Sequence, residues 1–278
     1  MRNIKIVADS SCDLFSLKET PYACAPLKIL TDEREFADDA SLDVNEMVDY
    51  LYNYKGKSKS SCPNTNDWLD AFGDADDVFC FTITSGLSGS YNSACLAKQI
   101  CESENEGKRV HVFDSLSAGP EITLSIEKAE ECVRKGMPFN EICDTVSEYM
   151  KKTGLVFMLK SLKNFANNGR VSPVVAKLVG IAGISVIGKA SDEGTLEPMH
   201  KCRGEKRSLE VLVESLKKEG FNSGKVSIGH CQNESAAERL KDLIIEKFNT
   251  VHIEIHKLKG LCSFYAEKGG VLIGFEKA

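Results

Sequence analysis

The feature that most limits how this chain can fold is an alternation. Short apolar runs exchange with amphipathic stretches, and several runs end in clusters of small hydroxyl and acidic residues. Residues 4–8, 78–84 and 110–113 have the length and apolar density of buried strands. Helical spacing follows the second and third of these, at 91–101 and 122–135, and recurs at 45–54 and 68–72. Strand, helix and strand in repetition predict a parallel sheet with crossover helices. The second half repeats this less regularly, with strands expected at 156–159, 183–187, 225–230, 252–258 and 271–275. Helices are expected there at 173–178, 208–218 and 235–248. The polar run Lys151-Lys152-Thr153-Gly154 is the expected boundary. The fold class is therefore α/β, with a parallel-sheet domain at 1–152 and a smaller, mixed α/β domain at 153–278.

A length of 278 residues suits about two domains. The net charge of −6 excludes the basic footprint of a general nucleic-acid binder. That charge is uneven. Residues 1–152 carry 16 Lys and Arg against 27 Asp and Glu, and residues 153–278 carry 19 against 14. An acidic first half and a basic second half fit attraction between domains or to a charged partner. The 11 cysteines include no CxxC pair, so the spacing indicates neither zinc nor a thioredoxin-like centre. Thiols in this number suit a reducing cytosol. The start of the chain lacks the pattern of a signal peptide. The longest apolar stretch, 171–188, is interrupted by Ser172, Pro173, Lys177 and Ser185, so no integral membrane segment is expected and the expected location is cytoplasmic.

Ligands of open parallel sheets sit beyond the carboxyl ends of the strands. Three such ends stand out here: Asp9-Ser10-Ser11, residues 82–90, and Asp114-Ser115-Leu116-Ser117. The segment Thr84-Ser85-Gly86-Leu87-Ser88-Gly89-Ser90 supplies hydroxyls, two glycines and the start of a helix. It reads as an anion site for a carboxylate or phosphate, or more plainly as a helix cap formed by Ser88 or Ser90. Two other chemistries use the same residue types. Ser88 with Asp114 and His230 has the chain order of an α/β-hydrolase triad, although Gly86-Leu87-Ser88-Gly89-Ser90 misses the GxSxG spacing by one residue. Asp9 and Asp13 could share Mg²⁺ in a phosphotransferase, or Asp9 could simply fix an Asx turn. No other metal set and no cofactor motif is read. In the second half, residues 174–184, including Ala182 and Ile184, are apolar and small, as core or as the wall of a long apolar pocket. Lys201-Cys202-Arg203-Gly204-Glu205-Lys206-Arg207 is a basic patch, either a solvated face or a receiver for a phosphate or an acidic partner.

The ordered set of segments resembles the DegV family of bacterial proteins over essentially the whole length. The segments are Asp9-Ser10-Ser11-Cys12-Asp13, Ser60-Ser61-Cys62-Pro63, residues 84–94, Asp114-Ser115, Leu162 with Asn168-Gly169-Arg170-Val171-Ser172, and Lys201-Cys202-Arg203-Gly204. The resemblance implies the two-domain EDD fold and a non-catalytic, fatty-acid-binding subunit of a fatty acid kinase. A long-chain fatty acid lies in an apolar tunnel between the domains, lined by Ala182 and Ile184. Its carboxylate is held by Ser60, Ser88 and the Gly89 N–H, with Ser61, Arg170 and Tyr265 in the same site. A separate kinase subunit then phosphorylates that carboxylate to an acyl phosphate, with Arg203 placed toward partner or headgroup. The sequence departs from the family pattern in three places. Ser60 replaces a threonine, Cys62 replaces a glutamine, and Tyr265 stands where a Gly-x-His-x-Gly-Pro-Gly motif has its carboxylate-binding histidine. A phenol keeps a hydrogen-bond donor and gives up a positive charge. Lipid binding tolerates that change better than the kinase partnership does, so a lipid-binding member that no longer serves a kinase is the neighbouring reading.

Overall fold

A computed structural model describes residues 2–172, 175, 183–249 and 252–278. The expected helix at 173–178 and the expected tunnel residue Ala182 lie outside these, apart from Val175. The first half supplies β1 (Ile4–Asp9), β2 (Tyr22–Ala25), β3 (Lys28–Leu30), β4 (Glu35–Ala37), β5 (Lys59–Ser61), β6 (Asp77–Thr82) and β7 (Arg109–Asp114). Four of these form an all-parallel sheet in the order β2-β1-β6-β7. Every residue of β6 is buried, as expected of a central parallel strand covered on both faces. The crossovers are helices Ser90–Glu104, between β6 and β7, and Thr65–Phe72. The latter opens with a reciprocal capping box between Asn64 and Asp67.

The second half supplies β8 (Thr153–Leu159), β9 (Ile184–Ala190), β10 (Leu196–Arg203), β11 (Val226–His230), β12 (Ile253–Lys257) and β13 (Val271–Glu276). They form one mixed sheet, β10-β9-β8-β13-β11-β12, in which only β11 and β12 are parallel. With six strands it is wider than the first sheet, where a smaller one was expected. Helices Glu205–Lys218 and Glu234–Phe248 bury Leu209, Leu212, Leu216, Leu240 and Ile244 against it.

Two features were not legible in the sequence. The first is a three-stranded antiparallel sheet, β4-β3-β5. Its strands have three residues each, and Lys59-Ser60-Ser61 has no apolar alternation to announce it. Ile29, Phe36, Met47 and Val48 from this region share a core with Leu155, Phe157 and Leu272 of the second sheet. The excursion between β2 and β6 therefore packs on the second half of the chain. The second is the packing of helix Pro120–Arg134, itself expected at 122–135, which is held from both sides. Ile122, Ile126 and Ala129 pack on Ile6, Phe79 and Phe81 of the parallel sheet. Its first turn presses on β13, where Gly274 makes the approach possible: a Cβ there would lie 2.5 Å from the Pro120 carbonyl carbon and the Glu121 nitrogen. Among the described residues, no helix is long and apolar enough to cross a membrane.

Because both clashing atoms are backbone, Gly274→Ala must push helix Pro120–Arg134 off the sheet. We expect a loss of about 1–3 kcal/mol in urea unfolding, the range for overpacked cores. Unchanged stability would mean that the seam yields without cost.

Candidate ligand-binding site

The residues that build the site are placed by a buried carboxylate at the end of β1. Asp9 is fully buried. It accepts hydrogen bonds from the Ser11 N–H and hydroxyl, from the Ile83 N–H at 2.9 Å and from the Ser90 hydroxyl at 2.6 Å. Burial pushes its pKa up, and these hydrogen bonds pull it down. Its oxygens are saturated by N–H and O–H donors, so the shared-Mg²⁺ reading of Asp9 and Asp13 has no lone pairs left at Asp9 to offer. Among the described residues no cluster of His, Cys, Asp and Glu could hold a metal ion. The Asx-turn reading of Asp9 is the one the geometry follows.

Held by Asp9, the loop after β6 turns back on itself. The Leu87 and Ser88 N–H groups donate to the Thr84 carbonyl, and the Thr84 N–H donates to Ser117. Ser88 Oγ accepts the Ser90 N–H at 3.2 Å, a local turn bond. The N-cap is Gly89 with no side-chain cap bond, so neither Ser88 nor Ser90 caps the helix as expected. Ser88 also lines a cavity. That cavity has a volume of about 280 Å³. Its body is apolar, built by Leu27, Ile83, Phe157, Leu159, Leu261 and Leu272 among others. Ser60, Ser61, Ser88, Gly89, Arg170 and Tyr265 all line it as well. These are the six headgroup residues expected from the sequence, drawn from β5, the Ser88 loop, the segment after helix Lys163–Asn167 and the short helix Gly260–Ala266.

Ser60 Oγ and the Tyr265 hydroxyl are 2.7 Å apart. Tyr265 packs on Phe165, with ring centroids 4.6 Å apart. Burial pushes its pKa up, while the Ser60 hydrogen bond and the Arg170 charge act the other way. Asn168 grips the outer edge of β5: its Oδ1 accepts the Ser60 N–H at 3.1 Å and its Nδ2 donates to the Ser58 carbonyl at 3.2 Å. Exposed Cys62 also lines the cavity. Ile184 and Arg203 do not line it. They face each other as paired residues of β9 and β10, with Arg203 exposed. Of the two tunnel residues expected, Ile184 is thus placed on a strand pairing away from the cavity.

The hydrolase reading finds no triad. Asp114 Oδ1 accepts the Leu116 N–H within its own turn and the Ser85 N–H from the loop after β6. His230 is buried, with Nδ1 accepting the Asn233 N–H at 3.2 Å. Neither lines the cavity that holds Ser88.

The helix that carries Tyr265 is pinned by two further buried carboxylates from the first half. Asp13 Oδ1 accepts the Lys259 N–H at 2.7 Å, and Asp38 accepts those of Gly260 and Leu261 at 2.7 and 2.8 Å. Both are buried, and desolvation raises their pKa values, to about 8 for Asp13 and about 6 for Asp38. Nothing in the sequence paired residues 13 and 38 with residues 259–261, more than 220 positions away. Only the folded chain brings them together.

The chain matches the DegV family model over residues 3–278, and it belongs to that family. A DegV domain-containing protein of Streptococcus pneumoniae is 41% identical over 276 residues, covering 98% of each chain. Among solved structures, a DegV family protein from Eubacterium eligens loaded with heptadecanoic acid superposes with a TM-score of 0.96. It is 43% identical, and the match covers 99% of this chain and 100% of that one. The fatty acid kinase B3 protein of Streptococcus pneumoniae, loaded with linoleic acid, also superposes at 0.96, with 40% identity and the same coverage. The fold is thus the DegV fold, a parallel sheet and a mixed sheet in one α/β chain.

A raised carboxyl pKa contributes stability that is full below the unfolded value near 4 and is lost as pH climbs to the folded value. For Asp13 that loss runs up to about pH 8. Asp13→Asn keeps an oxygen for the Lys259 N–H and removes the ionisation. The fall in thermal midpoint between pH 5 and pH 8.5 should therefore be smaller in the variant than in the wild type. Parallel curves would place the Asp13 ionisation outside the folding equilibrium.

Proposed function

We propose that this protein binds one long-chain fatty acid between residues 1–152 and 153–278, taken as two domains. On this reading it presents the carboxylate to a separate kinase subunit in the cytoplasm for acyl-phosphate formation. The carrying observation is the cavity itself, an apolar body ending in a cluster of Ser60, Ser88 and Tyr265 hydroxyls with Arg170 beside them. The names of the two solved relatives, one loaded with heptadecanoic acid and one with linoleic acid, support the same ligand class. The second of these names also supports the kinase connection.

The physical chemistry fits. Burying a chain of about 16 carbons at about 0.8 kcal/mol per CH₂ offers on the order of 12 kcal/mol before the costs of ordering. The hydroxyls contribute orientation more than affinity. Ser88, already accepting the Ser90 N–H, would donate its proton to one carboxylate oxygen, and Ser60 or Tyr265 would donate to the other. Among the described residues no basic side chain hydrogen-bonds Ser88, which supports a binding role for its hydroxyl over a nucleophilic one. Native mass spectrometry of protein purified without added lipid tests it directly. A mass increment matching a fatty acid is expected, and its absence together with failure to take up added fatty acid would reject the reading. Acyl-phosphate formation on addition of the kinase subunit and ATP separates a kinase carrier from a lipid binder outside that system.

Ser88→Ala removes one hydrogen bond to a charged group, worth about 1.5–3 kcal/mol, so fatty acid affinity should fall roughly 10- to 100-fold. Unchanged affinity in the folded variant would take Ser88 out of the site.

Tyr265 makes the headgroup site insensitive to pH. With its pKa raised, it stays neutral through the physiological range. His111, His230 and His256, whose pKa values burial lowers, do not line the cavity. Affinity for an ionised fatty acid should stay nearly flat from about pH 5.5 to 7.5. Tyr265→His should then bring in a pH dependence, with tighter binding on the acidic side of the new imidazole's pKa. A steep wild-type loss of affinity across that interval would assign the role to another group.

A further inference from the structure

The hydroxyl pair at the head of the cavity belongs to two elements that share no sheet. Ser60 sits in β5, an edge strand of three residues, and Tyr265 in the seven-residue helix Gly260–Ala266. Neither element is long enough to hold its own geometry. Both are gripped by the amide side chains of one short segment of the second half, helix Lys163–Asn167 and its C-cap Asn168.

Asn168 takes the place of the strand that β5 lacks on its outer edge. Its Oδ1 accepts the Ser60 N–H and its Nδ2 donates to the Ser58 carbonyl, on either side of Lys59. One residue of a parallel neighbouring strand would engage the same two groups. Nδ2 also donates to the Asn164 carbonyl at 2.8 Å, so both its protons and Oδ1 are engaged and the amide has one orientation. Asn164 is buried, and its own Nδ2 donates to the Phe264 carbonyl at 2.7 Å, one residue before Tyr265. Two asparagines four positions apart share a helix face. Here one of them reaches the strand of Ser60 and the other the helix of Tyr265. The side-chain period of a strand is two, so a slip of one residue in β5 would turn Ser60 to the opposite face.

We propose that Asn168 is a positioning residue for the ligand headgroup, registering β5 so that the Ser60 hydroxyl meets both Tyr265 and the carboxylate. This rests on the fatty-acid reading of the cavity. Asn168 does not itself line the cavity, so it acts through Ser60. Without its amide, the Ser60 N–H and the Ser58 carbonyl lose their partner across the edge, and the strand is free to shift. A hydrogen bond weakens steeply with misalignment, whereas burial of an acyl chain is non-directional. Removal of Asn168 is therefore felt at the head of the ligand and not along its tail.

The test compares the affinity of the full chain for palmitate and for methyl palmitate, which share an acyl chain and differ in headgroup charge. Asn168→Ala should weaken palmitate binding roughly tenfold, the scale of one hydrogen bond to a charged group. Methyl palmitate affinity should stay nearly unchanged. In a Ser60→Ala background the same substitution should cost palmitate little, because the hydroxyl it positions is already gone. Unchanged palmitate affinity, equal losses for the two probes, or a full loss that persists without the Ser60 hydroxyl would each overturn the positioning role. If Asn168→Ala does not fold, as judged by circular dichroism, the isosteric Asn168→Asp decides instead. It sets an oxygen against the Ser58 and Asn164 carbonyls, and the same palmitate-selective loss is expected. A wild-type protein that binds neither probe overturns the fatty-acid reading itself, and the positioning role with it.

Discussion

The site depends on the burial of one carboxylate. Asp9 ends β1 inside the protein, where an uncompensated charge or an orphaned donor is costly. It answers that cost by collecting donors from three places: its own turn, Ile83 just beyond β6, and Ser90 at the start of helix Ser90–Glu104. Satisfying one group therefore fixes the ends of two neighbouring parallel strands and the entry of the helix that follows. Ser88 and Gly89 fall between two of those anchors. Their place at the cavity is a consequence of where Asp9 finds its partners.

A second layer of the same physics joins the halves of the chain. A helix of seven residues has little stability of its own and leaves its first N–H groups without partners. Asp13 and Asp38 supply acceptors for three successive N–H groups at its start. The helix in turn presents Tyr265 to Ser60, and Asn168 holds the strand that carries Ser60. Close backbone approach completes the arrangement. Gly274 admits helix Pro120–Arg134 to the second sheet, and Gly188 leaves room for the ring of Phe157, which a Cβ would meet at 2.5 Å. Polar anchoring sets the head of the cavity, and small residues set the shape of its body.

Legibility followed the range of the interactions. Three strands of the parallel sheet were readable because each is a local apolar run with a turn behind it, whereas the edge strand β2 was not read. The headgroup residues Ser60, Ser88 and Tyr265 were readable through resemblance to a family pattern, and all three line one cavity. The short strands β3 to β5 were not, since three residues of mixed polarity carry no period and gain their stability from partners already in place. Helix Phe139–Met150 also went unread, although it buries Ile142 and Val146 at helical spacing. The structural duties of Asp114 and His230 could not be told from catalytic ones, because residue type and chain order are the same in both cases.

The sequence by itself determined the fold class, the family and the chemical kind of the site, all of which rest on local pattern and residue type. Only the tertiary structure decided which carboxylates act as struts and which helix brings Tyr265 to the cavity. Those outcomes depend on contacts between residues tens to hundreds of positions apart. Burial creates the demand for such contacts, and chain topology chooses the partner. Neither quantity is written in any one segment of the chain.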